Sequence, residues 1–267
     1  MDDSIDLGSR GFLLSASLRR DKVPSFAEYP FNLPAIRALD TLPLHPGVTF
    51  IVGENGSGKS TLLEAIAVAA GFNPEGGSRN FRFATRASHS DLHRCLRLSR
   101  SHRRPRTGFF LRAESFFNVA TEIGRLGAIP PPDGTADSPL LNSYGGNSLH
   151  EQSHGESFIA LLKHRFGPQG LYLLDEPEAA LSPTRQMAAL VRIDELVRAG
   201  SQFIVATHSP ILMAYPQSTI LSIGETGVAP IRYEDTEHYV VTRQFLNNPS
   251  GMLDKLLGEM IRPLSPR

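Results

Sequence analysis

The stretch at residues 50–61 reads Phe50-Ile51-Val52-Gly53-Glu54-Asn55-Gly56-Ser57-Gly58-Lys59-Ser60-Thr61. In it, an apolar strand runs into a glycine-rich turn, and the turn opens a helix. The spacing Gly53-x-x-x-x-Gly58-Lys59-Ser60 is the Walker A pattern of a phosphate-binding loop. Glycine adopts backbone conformations that are closed to residues with a Cβ, so successive N–H groups can curl around phosphate oxygens. The stretch therefore predicts a loop that binds the phosphates of a nucleotide.

A helix predicted over residues 59–70 follows this loop and directs its partial positive charge and unpaired N–H groups at the same anion. We expect Lys59 to reach the β- and γ-phosphates and the Ser60 hydroxyl to ligate Mg²⁺. The loop residues expected to bind the nucleotide are Gly53, Glu54, Asn55, Gly56, Ser57, Gly58, Lys59, Ser60 and Thr61. The alternative is a glycine-rich turn without a ligand, and the flanking strand and helix argue against it.

Length and composition bound the possible functions. A chain of 267 residues suits one α/β domain, and its 27 basic and 27 acidic side chains balance, so no global field that would capture nucleic acid or membrane is expected. The N-terminus is acidic rather than signal-like, and no apolar run approaches the roughly 20 residues that span a bilayer. We therefore expect a cytoplasmic protein without a membrane span. The single cysteine, Cys95, excludes an internal disulfide and a cysteine-built metal site.

A second acidic element follows another apolar strand. Residues 171–174 are Leu-Tyr-Leu-Leu, and Asp175 and Glu176 come directly after them, in the form of a Walker B strand. We expect Asp175 to hold Mg²⁺, because hard cations favour oxygen ligands. Glu176 is expected to deprotonate the attacking water as the catalytic base. The alternative is that two acids at a strand end only mark a turn.

The rest of the chain alternates strands with helices. Strands are predicted at 11–18, 108–112, 171–174 and 202–206, and helices near 153 and over 184–198, with an edge strand across the prolines of 29–40. This order predicts a mostly parallel sheet covered on both faces. The acidic segment at 233–238 is interpreted as a solvated loop before a helix over 239–247, with a metal site as the alternative.

The segment at 79–106 departs from the neutral average of the chain. It contains nine arginines and three histidines but only one acidic residue, Asp91. One hypothesis is a surface for nucleic acid or another acidic partner. The other is a solvated helix whose arginines pair with acids elsewhere in the fold or with the bound nucleotide.

Later motifs carry a resemblance to a known family. The sequences Asp175-Glu176-Pro177-Glu178, Ala180-Leu181-Ser182-Pro183 and Ala206-Thr207-His208-Ser209-Pro210 resemble the Walker B motif, D-loop and switch histidine of ABC-class ATPase heads. Ser153-His154-Gly155-Glu156-Ser157 is similar to a variant of the ABC signature sequence. The whole chain resembles small stand-alone bacterial ATPases related to RecF-type and structural-maintenance-of-chromosomes (SMC) heads.

The resemblance implies a P-loop fold of the ABC-head type: a mostly parallel sheet flanked by helices, with an antiparallel β edge and a small helical subdomain. It implies one head over 1–267, with residues 1–78 and 150–267 as the nucleotide-binding core and about 79–149 as the helical or loop subdomain. Tyr29 and Phe31, upstream of the phosphate loop, are candidates for stacking on adenine. Packing on a strand face is the alternative for both.

The family mechanism implies two heads that close around two ATP molecules. Each γ-phosphate would meet Lys59 of one head and Ser153 and Gly155 of the other, and His208 would sense the γ-phosphate. Glu156, in the same signature sequence, is also expected among the nucleotide-binding residues. The usual Q-loop glutamine is missing from its place, since no glutamine precedes Gln152, and Glu114 lies where it is expected as a Mg²⁺ ligand.

Three functions follow from these expectations. The first is a Mg²⁺-dependent ATPase whose ATP-driven homodimer switches an unknown partner, which is a protein or a nucleic acid bound through 79–106. The second is the ATP-binding subunit of a membrane transporter, against which the missing glutamine argues. The third is a module that signals ATP occupancy with negligible turnover.

Overall fold

A computed structural model describes residues 11–78, 90–112 and 154–258. The strands within these ranges are β1 (Leu13–Leu18), β2 (Thr41–Pro43), β3 (Val48–Val52), β4 (Leu96–Arg100), β5 (Thr107–Arg112), β6 (Gly170–Asp175), β7 (Gln202–Ala206), β8 (Ser218–Gly224) and β9 (Gly227–Pro230). The α-helices of the same ranges are α1 (Pro34–Arg37), α2 (Lys59–Ala69), α3 (Leu92–Cys95), α4 (His154–His164), α5 (Pro183–Arg198), α6 (Pro210–Met213), α7 (Glu237–Asn247) and α8 (Pro249–Leu257). Short 3-10 helices lie at Arg20–Lys22, Pro177–Ala180 and Tyr233–Asp235.

The main sheet has the strand order β5-β6-β7-β3-β8-β9. Its first five strands pair in parallel, and β9 pairs antiparallel with β8 at one edge. A separate antiparallel sheet has the order β2-β1-β4. The predicted mostly parallel sheet with an antiparallel edge is confirmed. Because β3, β6 and β7 are parallel and close together in this order, the motifs that follow them meet at one sheet edge.

Alternate residues of the central strands supply two hydrophobic cores, one on each face of the main sheet. Ile51 packs with apolar residues of α2 and of the antiparallel sheet. Phe50 and Val52 pack on the other face with residues of α4, α5 and α6. Every residue of β3 is buried, as expected for a central parallel strand covered on both sides.

The prediction of an edge strand across 29–40 was wrong. Residues 34–37 form the short helix α1, with Pro34 in its first turn. Proline is compatible with that position because its missing N–H would have no intrahelical partner there. The edge strand of the small sheet is β2, at Thr41–Pro43.

The interpretation of the arginine-rich segment as a solvated helix was also wrong for residues 90–106. After the four-residue helix α3, the chain enters β4, which pairs antiparallel with β1 through Ser17 and Arg97. Strands β4 and β5 both fall within the range that was expected to be helical or loop, so this part of the chain belongs to the two sheets. The rest of 79–149 lies outside the described residues, and the domain division stays a prediction.

The segment at 233–238 is not simply a solvated loop. Helix α7 begins at Glu237, and the preceding Thr236 is only 1% exposed. The Tyr233 hydroxyl donates a hydrogen bond to the Pro210 carbonyl at 2.9 Å, which fastens this segment to the start of α6. Among the helices of the described ranges, none has the length and apolarity that a membrane crossing requires.

Candidate nucleotide-binding site

The phosphate loop joins β3 to α2 in a conformation that its glycines permit. Gly53, Gly56 and Gly58 have φ values of +150°, +79° and +101°. A Cβ at position 53 would lie 2.3 Å from the Ile223 carbonyl oxygen of the neighbouring strand β8. Glycine is therefore required at position 53 both by its backbone angle and by the close approach of β8.

Lys59 is held inside this loop. It is 4% exposed, and its Nζ donates to the carbonyl oxygens of Gly53 and Glu54, both at 2.8 Å. Burial lowers the pKa of Lys59, and the nearby carboxylates of Glu176 and Asp175 oppose that shift. The ammonium group therefore lies within the loop and within electrostatic reach of the acids that end β6.

Ser60 and Asp175 meet across the sheet edge. The Ser60 hydroxyl donates a hydrogen bond to Oδ1 of Asp175 at 2.9 Å, although 115 residues separate them in the chain. A hydroxyl and a carboxylate at this separation form a pair of hard oxygen donors, which fits the ligands that Mg²⁺ prefers. These two predicted metal-binding residues are thus adjacent beside the phosphate loop.

Glu176 has an unusual backbone conformation. Its φ and ψ are 49° and 51°, the left-handed region that costs free energy for a residue with a Cβ. The Glu176 N–H donates to the Ala206 carbonyl at 2.9 Å, which holds the end of β6 beside the end of β7. The side chain stays 41% exposed, so water has access to its carboxylate.

His208 follows β7 and faces the same carboxylate. Its Nε2 lies 3.6 Å from Oε1 of Glu176, which is longer than a hydrogen bond. Burial lowers the pKa of His208, as does the charge of Lys59, whereas Glu176 opposes both. The two residues predicted to act on the attacking water and on the γ-phosphate therefore lie side by side.

Two protein-family models match this chain. One, described as "AAA domain", matches residues 31–107. The other matches residues 153–214, and its description begins "AAA domain" and also mentions the AbiEii toxin and "Type IV TA system". The first match contains the phosphate loop and the second contains Asp175, Glu176 and His208. The two segments 31–107 and 153–214 are thus each similar to an AAA domain. This agrees with the resemblance to ABC-class ATPase heads.

Solved structures similar to this chain include an ABC-transporter cassette and an SMC head. The ADP conformation of an ATP-binding cassette of an ABC transporter is 18% identical, with 93% of this chain and 99% of that chain covered and a TM-score of 0.47. The SMC head domain from Thermotoga maritima is 17% identical, with 83% and 99% covered and a TM-score of 0.42. A search of curated proteins finds no match.

The predicted signature residues are only partly described. Gly155 lies in the first turn of α4 and is buried. A Cβ there would come within 2.7 Å of the Ala180 carbonyl oxygen and 2.5 Å of the Arg185 side chain. Glu156 is exposed and forms an ion pair with Arg185 at 3.2 Å. Ser153 and Glu114 lie outside the described residues, so their roles stay predictions.

The two aromatic candidates for adenine stacking differ in exposure. Phe31 is 2% exposed and packs in the core beside α2, although it lies in a turn rather than on the strand face that the alternative expected. Tyr29 is 65% exposed, and its hydroxyl lies 3.0 Å from the Thr61 hydroxyl in the first turn of α2. Tyr29 is therefore the candidate that is placed beside the phosphate loop with its ring accessible.

Sequence reasoning missed two residues of the candidate site, Glu178 and His238. Oε1 of Glu178 accepts a hydrogen bond from the His208 N–H at 2.5 Å, and burial raises the pKa of this carboxyl group. Nε2 of His238 lies 2.7 Å from Nδ1 of His208. Glu178 was detectable as the last acid of Asp175-Glu176-Pro177-Glu178, whereas nothing in the sequence connects His238 with His208, 30 residues earlier.

A cavity of about 460 Å³ lies against the phosphate loop. Loop residues 53–57 form one wall, and the end of β8 and the start of α7 form others. His238 is among the lining residues. The volume falls within the range of small-molecule sites, about 300–1,000 Å³. The start of α7 therefore lines the same cavity as the phosphate loop.

Proposed function

We propose that this protein binds ATP in the loop at 53–61 and hydrolyses it with Mg²⁺. The observation that carries the proposal is the hydrogen bond between Ser60 and Asp175, because it unites the phosphate loop with the acidic end of β6. Lys59, Glu176 and His208 lie around the same point. A nucleotide's phosphates, a divalent cation and an attacking water each have a matching group there.

In this proposal the chain's own groups divide the work of hydrolysis. Lys59 binds the β- and γ-phosphates in place of the loop carbonyls, and Ser60 and Asp175 hold Mg²⁺, which supplies charge neutralisation of the phosphate oxygens. The water oxygen bonds to the γ-phosphorus while the bond between that phosphorus and the β-phosphate oxygen breaks. Glu176 accepts the proton that the water loses, and ADP leaves with the oxygen of the broken bond.

His208 has a separate task in the proposed reaction. We expect its Nε2–H to donate to a γ-phosphate oxygen, so that the hydrogen bond is lost when phosphate leaves. The Nε2 atom is buried, and within the described ranges it has no hydrogen-bond partner. A buried donor without a partner costs free energy, and a phosphate oxygen would satisfy it.

The resemblance to ABC-class heads motivates the second half of the proposal, an ATP-sandwiched homodimer that switches a partner. Gly155 and Glu156 would approach the nucleotide of the other head, together with Ser153. A head without its partner's donors should hydrolyse slowly, because phosphoryl transfer depends mainly on positioning and charge stabilisation.

The decisive experiment measures ATP turnover per head against protein concentration, for the wild type and for Glu176→Gln. The wild type should release phosphate in the presence of Mg²⁺, with turnover that rises with concentration. Glu176→Gln should keep ATP binding, lose hydrolysis and accumulate dimer, because uncleaved ATP continues to stabilise the closed state. A monomeric and fully active variant would refute both the base and the sandwich. ATP-dependent dimers without phosphate release in the wild type would favour a signalling module.

One observation favours nucleic acid as the partner that is switched. Arg97, Arg104 and Arg106 are exposed, and they form no ion pair within residues 11–78, 90–112 and 154–258. Arg97 lies in β4, and the other two lie between β4 and β5. Exposed guanidinium groups of this kind can donate charge-assisted hydrogen bonds to the phosphate oxygens of a nucleic acid.

Binding to DNA and RNA at several salt concentrations tests this second proposal. Replacing all three arginines by alanine should weaken binding and flatten its salt dependence, because fewer counterions are released on binding. A triple alanine variant at Arg198, Arg243 and Lys255 is the control, since these basic residues lie on α5, α7 and α8. Equal losses in the two variants would show that no specific surface is involved.

A further inference from the structure

His208 and His238 form a contact that the proposed function does not yet use. Nδ1 of His208 and Nε2 of His238 are 2.7 Å apart, within hydrogen-bond distance. Their ring centroids are 4.8 Å apart with an angle of 61° between the planes, so the edge of one ring approaches the face of the other. His238 is the second residue of α7, whereas His208 follows β7.

The position of His238 is fixed from more than one side. Thr236 is buried, and its hydroxyl donates to the Tyr233 carbonyl at 2.7 Å. The Tyr233 hydroxyl in turn donates to the Pro210 carbonyl, two residues after His208. The start of α7 is therefore attached to the segment after β7 at two points, the histidine pair and Tyr233.

A hydrogen bond between two neutral imidazoles needs one donor and one acceptor. If His208 donated through Nδ1, its Nε2 would be a bare lone pair facing Oε1 of Glu176 at 3.6 Å. Two acceptors would then face each other in a half-buried site, which is unfavourable. If His238 donates through Nε2 instead, His208 carries its proton on Nε2 and presents a donor to the carboxylate side.

The surroundings of both rings favour their neutral form. Burial lowers the pKa of His208, and burial together with His208 lowers the pKa of His238. The charge of Lys59 acts in the same direction on both rings, while Glu176 acts on His208, and Glu237 and Glu178 act on His238, in the opposite direction. With neutral rings, the hydrogen bond on one nitrogen decides which nitrogen holds the proton.

We propose that His238 is a positioning residue that donates its Nε2–H to Nδ1 of His208 and so holds the His208 proton on Nε2, towards Glu176 and the phosphate loop. The effect on turnover rests on the proposed ATP hydrolysis, whereas the tautomer itself does not. The result is that helix α7 prepares the histidine that meets the γ-phosphate. An outer partner of this kind orients an imidazole and fixes its tautomer before the ligand arrives.

Nitrogen-15 NMR of protein labelled at histidine tests the tautomer directly, with or without nucleotide. Wild-type His208 should show a proton on Nε2 and none on Nδ1. His238→Phe keeps an aromatic ring but removes the donor, so the preference should be lost. His238→Gln should restore it, because a glutamine amide carries a donor nitrogen at a comparable distance from the backbone. A wild-type His208 with its proton on Nδ1 would overturn the proposal.

Kinetics give the second measurement. His238→Phe should lower kcat by about 10- to 100-fold, the range seen when an outer partner of a functional side chain is removed, while KM for ATP changes little. His238→Gln should recover most of the loss. Tyr233→Phe is the matched control, because it removes the other attachment of α7 and leaves both histidines intact. Equal kcat losses in Tyr233→Phe and His238→Phe would show that the loss comes from weaker attachment of α7 and not from the His238 donor. That result would overturn the proposal.

The two proposals fail in different ways. A wild type that never releases phosphate, yet shows the expected His208 tautomer, refutes ATP hydrolysis and supports the positioning role. Normal turnover in His238→Phe together with an unchanged His208 tautomer refutes the positioning role and leaves the ATPase intact.

Discussion

The hydroxyl of Ser60 and the carboxylate of Asp175 are joined by a hydrogen bond of 2.9 Å. Ser60 lies in the first turn of α2, and Asp175 is the last residue of β6, which is separated from β3 by β7 in the main sheet. The contact therefore reaches across a whole strand. It connects the phosphate loop to the acids at the end of β6 and places an oxygen atom of each residue beside the other.

Asp175→Asn should raise the Mg²⁺ concentration that half-activates ATP turnover by about 10- to 100-fold, because the amide removes the negative charge and leaves one carbonyl oxygen as a ligand. Titration of Mg²⁺ at fixed ATP measures the shift. Asp194→Asn is the control, since Asp194 lies on α5 and pairs with Arg198 and Tyr215. An Asp175→Asn variant with the wild-type Mg²⁺ requirement would remove Asp175 from the metal site.

Lys59→Ala should weaken ATP binding by about 10- to 100-fold, because hydrogen bonds to a charged group contribute about 1.5–3 kcal/mol and each 1.4 kcal/mol is tenfold in Kd. Isothermal titration with ATP and with ADP measures the change. Lys163→Ala, at an exposed position on α4, should bind both nucleotides as the wild type does. Unchanged affinity in Lys59→Ala would mean that the loop at 53–61 does not bind the phosphates.

The central site could be predicted from sequence because its residues follow local rules. Gly53 follows the apolar strand β3, Asp175 ends the apolar strand β6, and Lys59 begins α2 directly after the loop. Parallel strands bring their carboxyl ends to one edge. The phosphate loop and the acids of β6 are therefore readable from short segments, without knowledge of the strand order.

The missed features depend on contacts between distant segments. His238 belongs to a polar stretch whose composition is typical of a loop, and only the packing of α7 against the segment after β7 brings it to His208. The predicted edge strand across 29–40 was wrong for a different reason. Proline is excluded from a helix interior but not from the first turn of a helix, where Pro34 lies. The solvated helix expected around Arg97 was wrong because β4 pairs with β1, 80 residues earlier in the chain. This long-range pairing overrides the local preference of a charged run.

Acidification should destabilise this protein through His45. Nδ1 of His45 accepts hydrogen bonds from the N–H groups of Gly47 and Val48, at 3.1 and 3.2 Å, where the chain enters β3. Burial lowers the pKa of His45 below the ordinary histidine value of 6.5. The unfolded chain therefore binds the proton first as the pH falls, so the stability present above 6.5 is lost as the pH falls through the folded-state pKa.

Urea unfolding at about pH 7.5 and about pH 5.5, on either side of the unperturbed histidine pKa, measures this loss. His45→Asn should lose less stability than the wild type between these conditions, because its side-chain oxygen still accepts from the backbone but does not titrate. His102→Asn, at an exposed position, should behave as the wild type. The lowered pKa values of His208 and His238 and the raised pKa of Glu178 act in both proteins, so the difference between the two losses of stability is the quantity that reports on His45. An equal loss in His45→Asn and the wild type would rule out His45 as a source.

Gly155→Ala should lower the free energy of unfolding, because inserting a methyl group into a packed site usually costs about 1–3 kcal/mol. The new Cβ would lie 2.7 Å from the Ala180 carbonyl oxygen, which is backbone and has little room to move. The gain in helix propensity from glycine to alanine, about 1 kcal/mol, offsets part of this cost, so the net loss should be up to about 2 kcal/mol. Gly167→Ala is the matched control, because its nearest neighbour would be Thr107 Cγ2 at an ordinary 3.7 Å.

Chemical denaturation of the two alanine variants separates a packing role of Gly155 from a role in ligand binding. A destabilised Gly155→Ala that still dimerises with ATP below its unfolding range would place the glycine in the contact between α4 and the segment before α5. A variant with wild-type stability or better would contradict the predicted clash. If that stable variant also failed to form ATP-dependent dimers, position 155 would act on the nucleotide of the opposing head, because its backbone could not approach the phosphate with a methyl group in between.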